Sequence, residues 1–120
     1  MPSLALDRIR VVLARPSHPG NVGAAARAMK TMGFSDLRLV APRRPPDAEA
    51  RALAAGASDV LERARANDRI EDALAGTVLA AGFSARARDL SHPLQSLRDS
   101  APAMLAAAAE GPVALVFGNE

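Results

Sequence analysis

The sequence has no cysteine, no tryptophan and no tyrosine, and only three phenylalanines. The missing thiols exclude disulfides and thiolate metal sites. The shortage of aromatics leaves Leu, Val, Ile, Met and Ala to build the core, and Ala packs thinly while favouring helix. Lysine is nearly absent: Lys30 is the single one among 15 cations, and arginine supplies the rest. Arginine is the better planar donor for phosphate, although a bias toward Arg and Ala codons produces the same composition. The two histidines, His18 and His92, lie far apart and lack metal-ligand spacing, so no metal is expected. No run approaches the roughly 20 apolar residues of a membrane span, and the N-terminus lacks a signal-peptide pattern. Neither a membrane nor secretion is implied, and the expected location is the cytoplasm.

What is present suits one domain. With 120 residues and 49% hydrophobic content, burial can drive folding. Ile9 to Ala14 reads as a buried strand. Arg15 to Gly20, with two prolines and a glycine, reads as a loop. Asn21 suits an N-cap for a helix over Val22 to Met32, with Gly33 as its C′ residue. Leu37 to Val40 is a second strand, followed by a stiff basic turn carrying Arg43 and Arg44. Asp47 caps a helix to about Ala55, which Gly56 breaks. Shorter pieces follow: a helical segment at Ser58 to Leu61, a minor strand at Ala64 to Ala66, and a helix at Ile70 to Ala75 closed by Gly76. Thr77 to Ala81 reads as a strand, with Gly82 to Arg88 as the loop at its end. His92 and Pro93 begin a linker to a helix from about Ala101 to Ala109. Val113 to Phe117 is the last strand.

Short apolar strands alternating with helices predict an α/β fold: a parallel sheet with helices on both faces. Ligands bind such sheets beyond the carboxyl ends of the strands. That directs attention to the loops after Ala14, Val40 and Ala81, and to Gly118. The loop from Ser17 into the Gly- and Ala-rich helix offers free N–H groups and room for a close approach by backbone or phosphate. Arg27 lies about 9 Å along the helix axis from Asn21. A dinucleotide fold would need G-x-G-x-x-G and an acid after the second strand; Gly20 and Gly23 do not complete that triplet, and Val40 runs into Ala41 and Pro42. A Walker loop is also absent. Asn21 as a plain cap, and small residues serving helix packing alone, remain open readings of this segment.

Four segments in order settle the comparison. His18 to Gly33, with its N-x-G-A-x-x-R core, resembles the first motif of SPOUT-class (SpoU-type) RNA ribose 2′-O-methyltransferases. Ala54 to Asp59 is similar to a segment between that family's second and third strands. Gly82-Phe83-Ser84-Ala85-Arg86 resembles its G-T-S-A-R loop. Pro112 to Glu120 resembles its second motif, a strand ending in F-G-x-E.

The resemblance implies methyl transfer from S-adenosylmethionine to a ribose 2′-hydroxyl in tRNA or rRNA by a homodimer with an α/β fold and a C-terminal trefoil knot. Carried over by position, Arg27 matches the family's catalytic arginine, Asn21 the motif asparagine, and Glu120 the motif acid that organises the knot region. Phe83, Ser84 and Ala85 match the donor-contacting loop, and Gly118 the glycine that the donor approaches. Phe83 replaces the usual threonine and removes a hydroxyl. Arg86 and Arg88 flank the donor loop, and Arg43 and Arg44 form a candidate RNA-facing turn. His18 has no carboxylate nearby in sequence to orient it as a base, and a loop-shaping role is expected.

The chain stops three residues after Phe117, at a ligand-binding edge. It therefore reads as the N-terminal part of such a domain, spanning 1–120, with the knot segment missing. Alone it is expected neither to bind S-adenosylmethionine tightly nor to methylate RNA. Two rival readings are a non-catalytic RNA-binding domain derived from this family and an unrelated nucleotide-binding α/β domain.

Overall fold

A computed structural model describes residues 4–43, 47–83 and 97–118. A short helix α1 (Leu4–Asp7), which the sequence pattern does not announce, precedes strand β1 (Ile9–Ala14). Helix α2 (Pro19–Met32) returns to strand β2 (Asp36–Val40). Helix α3 (Ala48–Ala54), a 3-10 turn at Ala55–Ala57 and helix α4 (Ser58–Arg63) lead to strand β3 (Arg65–Asn67). Helix α5 (Ile70–Ala73), strand β4 (Leu79–Phe83), helix α6 (Leu97–Ala108) and strand β5 (Val113–Phe117) complete the described order.

The five strands form one parallel sheet in the order β3-β2-β1-β5-β4. All carboxyl ends therefore lie along one rim. In register, Ile9, Val11 and Leu13 of β1 match Val113, Leu115 and Phe117 of β5, so these residues share one face. Helices α2, α3 and α4 cover that face through Val22, Ala26, Met29, Ala50, Ala54, Val60 and Leu61. Helix α6 adds Met104 and Ala108 over β5. On the opposite face, α5 packs Ala73, Ile70 and Leu74 on Val12, Val40 and Ala114. Both faces carry helix, but unequally among the described residues. The fully buried Met29 side chain alone contributes about 1.5–3 kcal/mol of transfer free energy.

Helix α2 begins earlier than expected. His18, extended at φ −118 and ψ 115, occupies the cap position without a side-chain hydrogen bond, and Pro19 opens the helix. Proline is pre-set for the first helical residue, where its missing N–H costs nothing. Asn21 is thus the third helical residue, not the cap, and its N–H donates to the His18 carbonyl at 3.0 Å. The other end follows expectation. Gly33 adopts φ 85, Gly33 N–H donates to the Lys30 carbonyl, and Phe34 N–H reaches the Met29 carbonyl at 2.8 Å. That is a Schellman closure.

Asp47 caps α3, its carboxylate accepting from Ala50 N–H at 3.1 Å. The break after α3 falls on Ala55, at φ 50, and not on Gly56. Strand β4 starts two residues later than the apolar run suggested. Thr77 instead closes the α5 turn, its hydroxyl donating to the Leu74 carbonyl at 2.7 Å. Gly82 and Phe83 are therefore strand residues, not loop. Helix α6 likewise starts before Ala101 and keeps Pro102 inside it. The expected linker at His92 and Pro93 lies outside the described residues.

Two arginines tie helix C-termini to the amino-terminal end of β1. Arg8 Nη1 donates to the Ala108 and Ala109 carbonyls at 3.0 and 2.9 Å, closing α6. Arg10, buried, donates to the Ala73 and Ala75 carbonyls at 2.7 and 2.9 Å, closing α5. Each guanidinium meets the negative end of a helix dipole.

Candidate methyltransferase site

The sequence directs three chain segments to one place. Strand β1 delivers Ala14, and the turn after it carries Pro16, Ser17 and His18. Strand β5 delivers Phe117 and Gly118. Between them and helices α2 and α6 runs a groove of about 830 Å³ whose lining includes all of these and Asn21. Its floor and walls are apolar: Leu13, Leu115, Met29, Met104 and Phe34. Polar groups gather at the rim end, where Ser17, His18 and Asn21 stand. An apolar cleft with a few convergent polar groups at strand carboxyl ends is the expected form of a ligand site.

Gly118 sits where a Cβ would meet nothing within 4 Å. Among the described residues nothing requires glycine there, so the open space is available to a ligand. Phe83 pairs in register with Phe117, which puts the end of β4 on the same rim beside Gly118. Gly82, paired with Val116, also faces open space. Ser84, Ala85, Arg86, Arg88 and Glu120 lie outside the described residues, as does Arg44.

Arg27 stands apart from this cluster. It is exposed on α2 and does not line the groove. Groove-lining positions on α2 are Asn21, Ala25, Ala28, Met29 and Met32, the spacing of one helical face. At about 100° per residue, Arg27 points roughly 120° away from Asn21 around the axis. The fold brings Asn21, Gly118 and the β4 terminus together, whereas Arg27 serves a surface beside them.

For Gly23 the structure favours the packing reading of the two that its motif left open. A Cβ there would lie 2.0 Å from the Ala50 carbonyl oxygen. The close approach it permits is by the backbone of α3, not by a phosphate. Lys30 then links α2 to Asp59 on α4 at 2.7 Å; its hydrogen bond holds the Asp59 carboxyl below its ordinary value. Sequence reasoning missed Arg8 and Arg10, and it missed Arg15, which follows β1 at φ 52. No local pattern marks any of them. Among the described residues no group of three or more His, Asp or Glu is arranged to hold a metal ion, and no helix is long and apolar enough to cross a membrane.

Known proteins share this fold. The sequence profile of the SpoU rRNA Methylase family matches residues 8–120. The tRNA (cytidine/uridine-2'-O-)-methyltransferase TrmJ of Sodalis glossinidius is 50% identical over 115 residues, which cover 96% of this chain and 45% of that protein. Its counterpart from Citrobacter koseri is 52% identical, with 96% and 47% covered. A probable methyltransferase from Bordetella pertussis Tohama I superposes with a TM-score of 0.89 at 50% identity, covering 97% of this chain and 72% of that one. TrmJ from Z. mobilis ZM4 superposes with a TM-score of 0.82 at 35% identity, covering 91% and 48%. The chain spans about half the length of the curated relatives it matches. With a profile match over nearly its whole length and a parallel sheet that superposes on these methyltransferase structures, the chain belongs to the SpoU rRNA methylase family.

Proposed function

We propose that the complete gene product is an S-adenosylmethionine-dependent tRNA ribose 2′-O-methyltransferase that works as a homodimer in the cytoplasm. The observation that carries this reading is the 50–52% identity to proteins named tRNA 2′-O-methyltransferases across 96% of the chain. The rim geometry supports it. The space over Gly118 and Gly82, beside Phe83, fits an adenosyl group approached by backbone, and Ser84 and Ala85 follow directly in sequence. When bound, S-adenosylmethionine supplies a methyl group activated on a sulfonium. Gly118, Gly82 and the backbone at the end of β4 would hold that donor, with its methyl turned toward a ribose hydroxyl.

Three residues of the chain have assigned parts. Asn21, on the groove face of α2, holds the loop after β1 and meets the acceptor ribose. A guanidinium is a planar fork of donors rather than a base, and that sets the role of Arg27. Its part is to fix an acceptor phosphate and stabilise the developing alkoxide. Its outward direction on α2 favours a dimer in which Arg27 of the partner subunit faces this donor rim. The exposed Met32 and Leu105, on the walls of the groove, suit burial between copies. Glu120, matching the motif acid, is assigned to organising the knot region.

Incubating the complete product with labelled S-adenosylmethionine and unmodified tRNA tests the reading. A 2′-O-methyl blocks alkaline cleavage at that nucleotide, so an alkali-resistant labelled dinucleotide is expected. Label on a base would overturn it, and salt-dependent tRNA binding without transfer would favour a non-catalytic RNA-binding domain. Arg27→Lys keeps the charge and loses the planar fork, and kcat should fall by about 10²-fold; full activity would remove the fork from the mechanism. Gly118→Ala meets no atom of the described residues within 4 Å, so the unfolding midpoint should hold. Donor affinity should fall by roughly tenfold or more, measured by calorimetry, because the added methyl enters the donor's space.

A further inference from the structure

Left-handed backbone marks the ends of two neighbouring strands. Arg15, immediately after β1, has φ 52, and Ala41, immediately after β2, has φ 46. Neither is glycine, asparagine or aspartate, the residues that adopt this region readily. Such strain persists only where surrounding structure enforces it, and it gathers at functional sites.

Here the enforcement is visible. Arg15 N–H donates to the Val40 carbonyl at 2.7 Å, Ala41 N–H to the Asn67 carbonyl at 2.8 Å, and Arg43 N–H to the Pro16 carbonyl at 3.3 Å. These bonds continue the β1–β2–β3 ladder past the strand ends and staple the two loops together. The result is two exposed arginines, Arg15 and Arg43, emerging from adjoining loops on the rim that carries Gly118. Among the described residues neither joins an ion pair. The acid nearest Arg43 in the chain, Asp47, is committed to capping Ala50 N–H.

The strand order fixes how this pair relates to the donor space. Along the rim the sequence is Arg43 after β2, Arg15 after β1, Gly118 after β5, then Phe83 at the end of β4. Strands are about 4.8 Å apart, so β2 and β5 are separated by roughly 10 Å. We propose that Arg15 and Arg43 form a phosphate clamp that positions the RNA backbone over the β2–β1 side of the rim, opposite the donor side at β5–β4. The reacting ribose is then held above the β1–β5 boundary. This rests on the methyltransferase reading and adds the direction from which the RNA enters. Arginine suits the task because its fork engages phosphate oxygens in pairs. The strain at Arg15 is maintained for binding rather than for folding.

The test uses the complete gene product, with Arg15→Asn and the double variant Arg15→Asn/Arg43→Gln. Asparagine accepts a left-handed backbone, so Arg15→Asn should unfold at the same temperature as the parent or higher. The double variant should bind unmodified tRNA about tenfold more weakly. The slope of log affinity against log salt should become shallower by about 1–2. KM for tRNA should rise, with kcat at saturating tRNA and affinity for S-adenosylmethionine unchanged. Arg15→Lys should recover most of the salt slope. Unchanged affinity and slope in a double variant whose parent methylates tRNA would overturn the clamp and leave the enzyme reading intact. A parent that binds no tRNA overturns both.

Discussion

Replacing Gly23 with alanine should destabilise the protein by about 2–4 kcal/mol, the reverse of what a mid-helix glycine normally predicts. Glycine inside a helix is about 1 kcal/mol worse than alanine, so the substitution gains helix propensity. Against that gain stands the packing of α2 on α3. The new Cβ would sit 2.0 Å from the Ala50 carbonyl oxygen, 2.8 Å from its carbonyl carbon and 3.0 Å from its Cα. All three are backbone atoms of a helix whose Ala50 is fully buried, so no side chain can rotate away. Overpacking in a dense core costs about 1–3 kcal/mol and more where backbone must move. Urea unfolding of Gly23→Ala checks the sign. A midpoint at or above the parent's would mean that α3 slides freely, and Gly23 would regain a direct part in binding.

The small residues after Asn21 fit both an anion site and a helix contact, and one-dimensional spacing could not choose between them. The contact partner, Ala50, is 27 positions away and carries no signal beyond being small. By contrast β1 and β5 were legible to the residue, because a strand buried on a parallel sheet is a continuous apolar run bounded by turn residues. The start of β4 was misread because Thr77 and Val78 have strand propensity. Thr77 bonds back to Leu74 and belongs to the turn, and the pairing of β4 with β5 begins only at Leu79. Asn21 was misread because a good capping residue competes with a proline two positions earlier, and proline's fixed φ decides the helix start. The rim itself was legible: strand-ending loops in a parallel sheet must share an edge. Where Arg27 points was not, since direction around α2 depends on which face meets the sheet.

The buried arginine on β1 gives the second large effect. Arg10→Met should cost about 3–5 kcal/mol and loosen α5 before the rest of the sheet. Methionine replaces the aliphatic length but none of the donors. The Ala73 and Ala75 carbonyls then lose bonds of 2.7 and 2.9 Å, and charge-assisted bonds are each worth about 1.5–3 kcal/mol. Asp36 loses a 3.4 Å contact but keeps Arg38 at 2.7 Å, so no carboxylate is stranded and the penalty arises mainly at the α5 end. Helix α5 packs on Val12, Val40 and Ala114, so its release exposes the centre of that face. Hydrogen exchange should therefore accelerate first at Leu74, whose N–H bonds to Ile70, while amides in α2 remain protected. Arg8→Met provides the control. It removes two similar bonds from α6, but Arg8 is exposed, water replaces the donors, and a loss nearer 1 kcal/mol is expected. Equal losses from the two substitutions would mean that burial adds nothing to the Arg10 clamp.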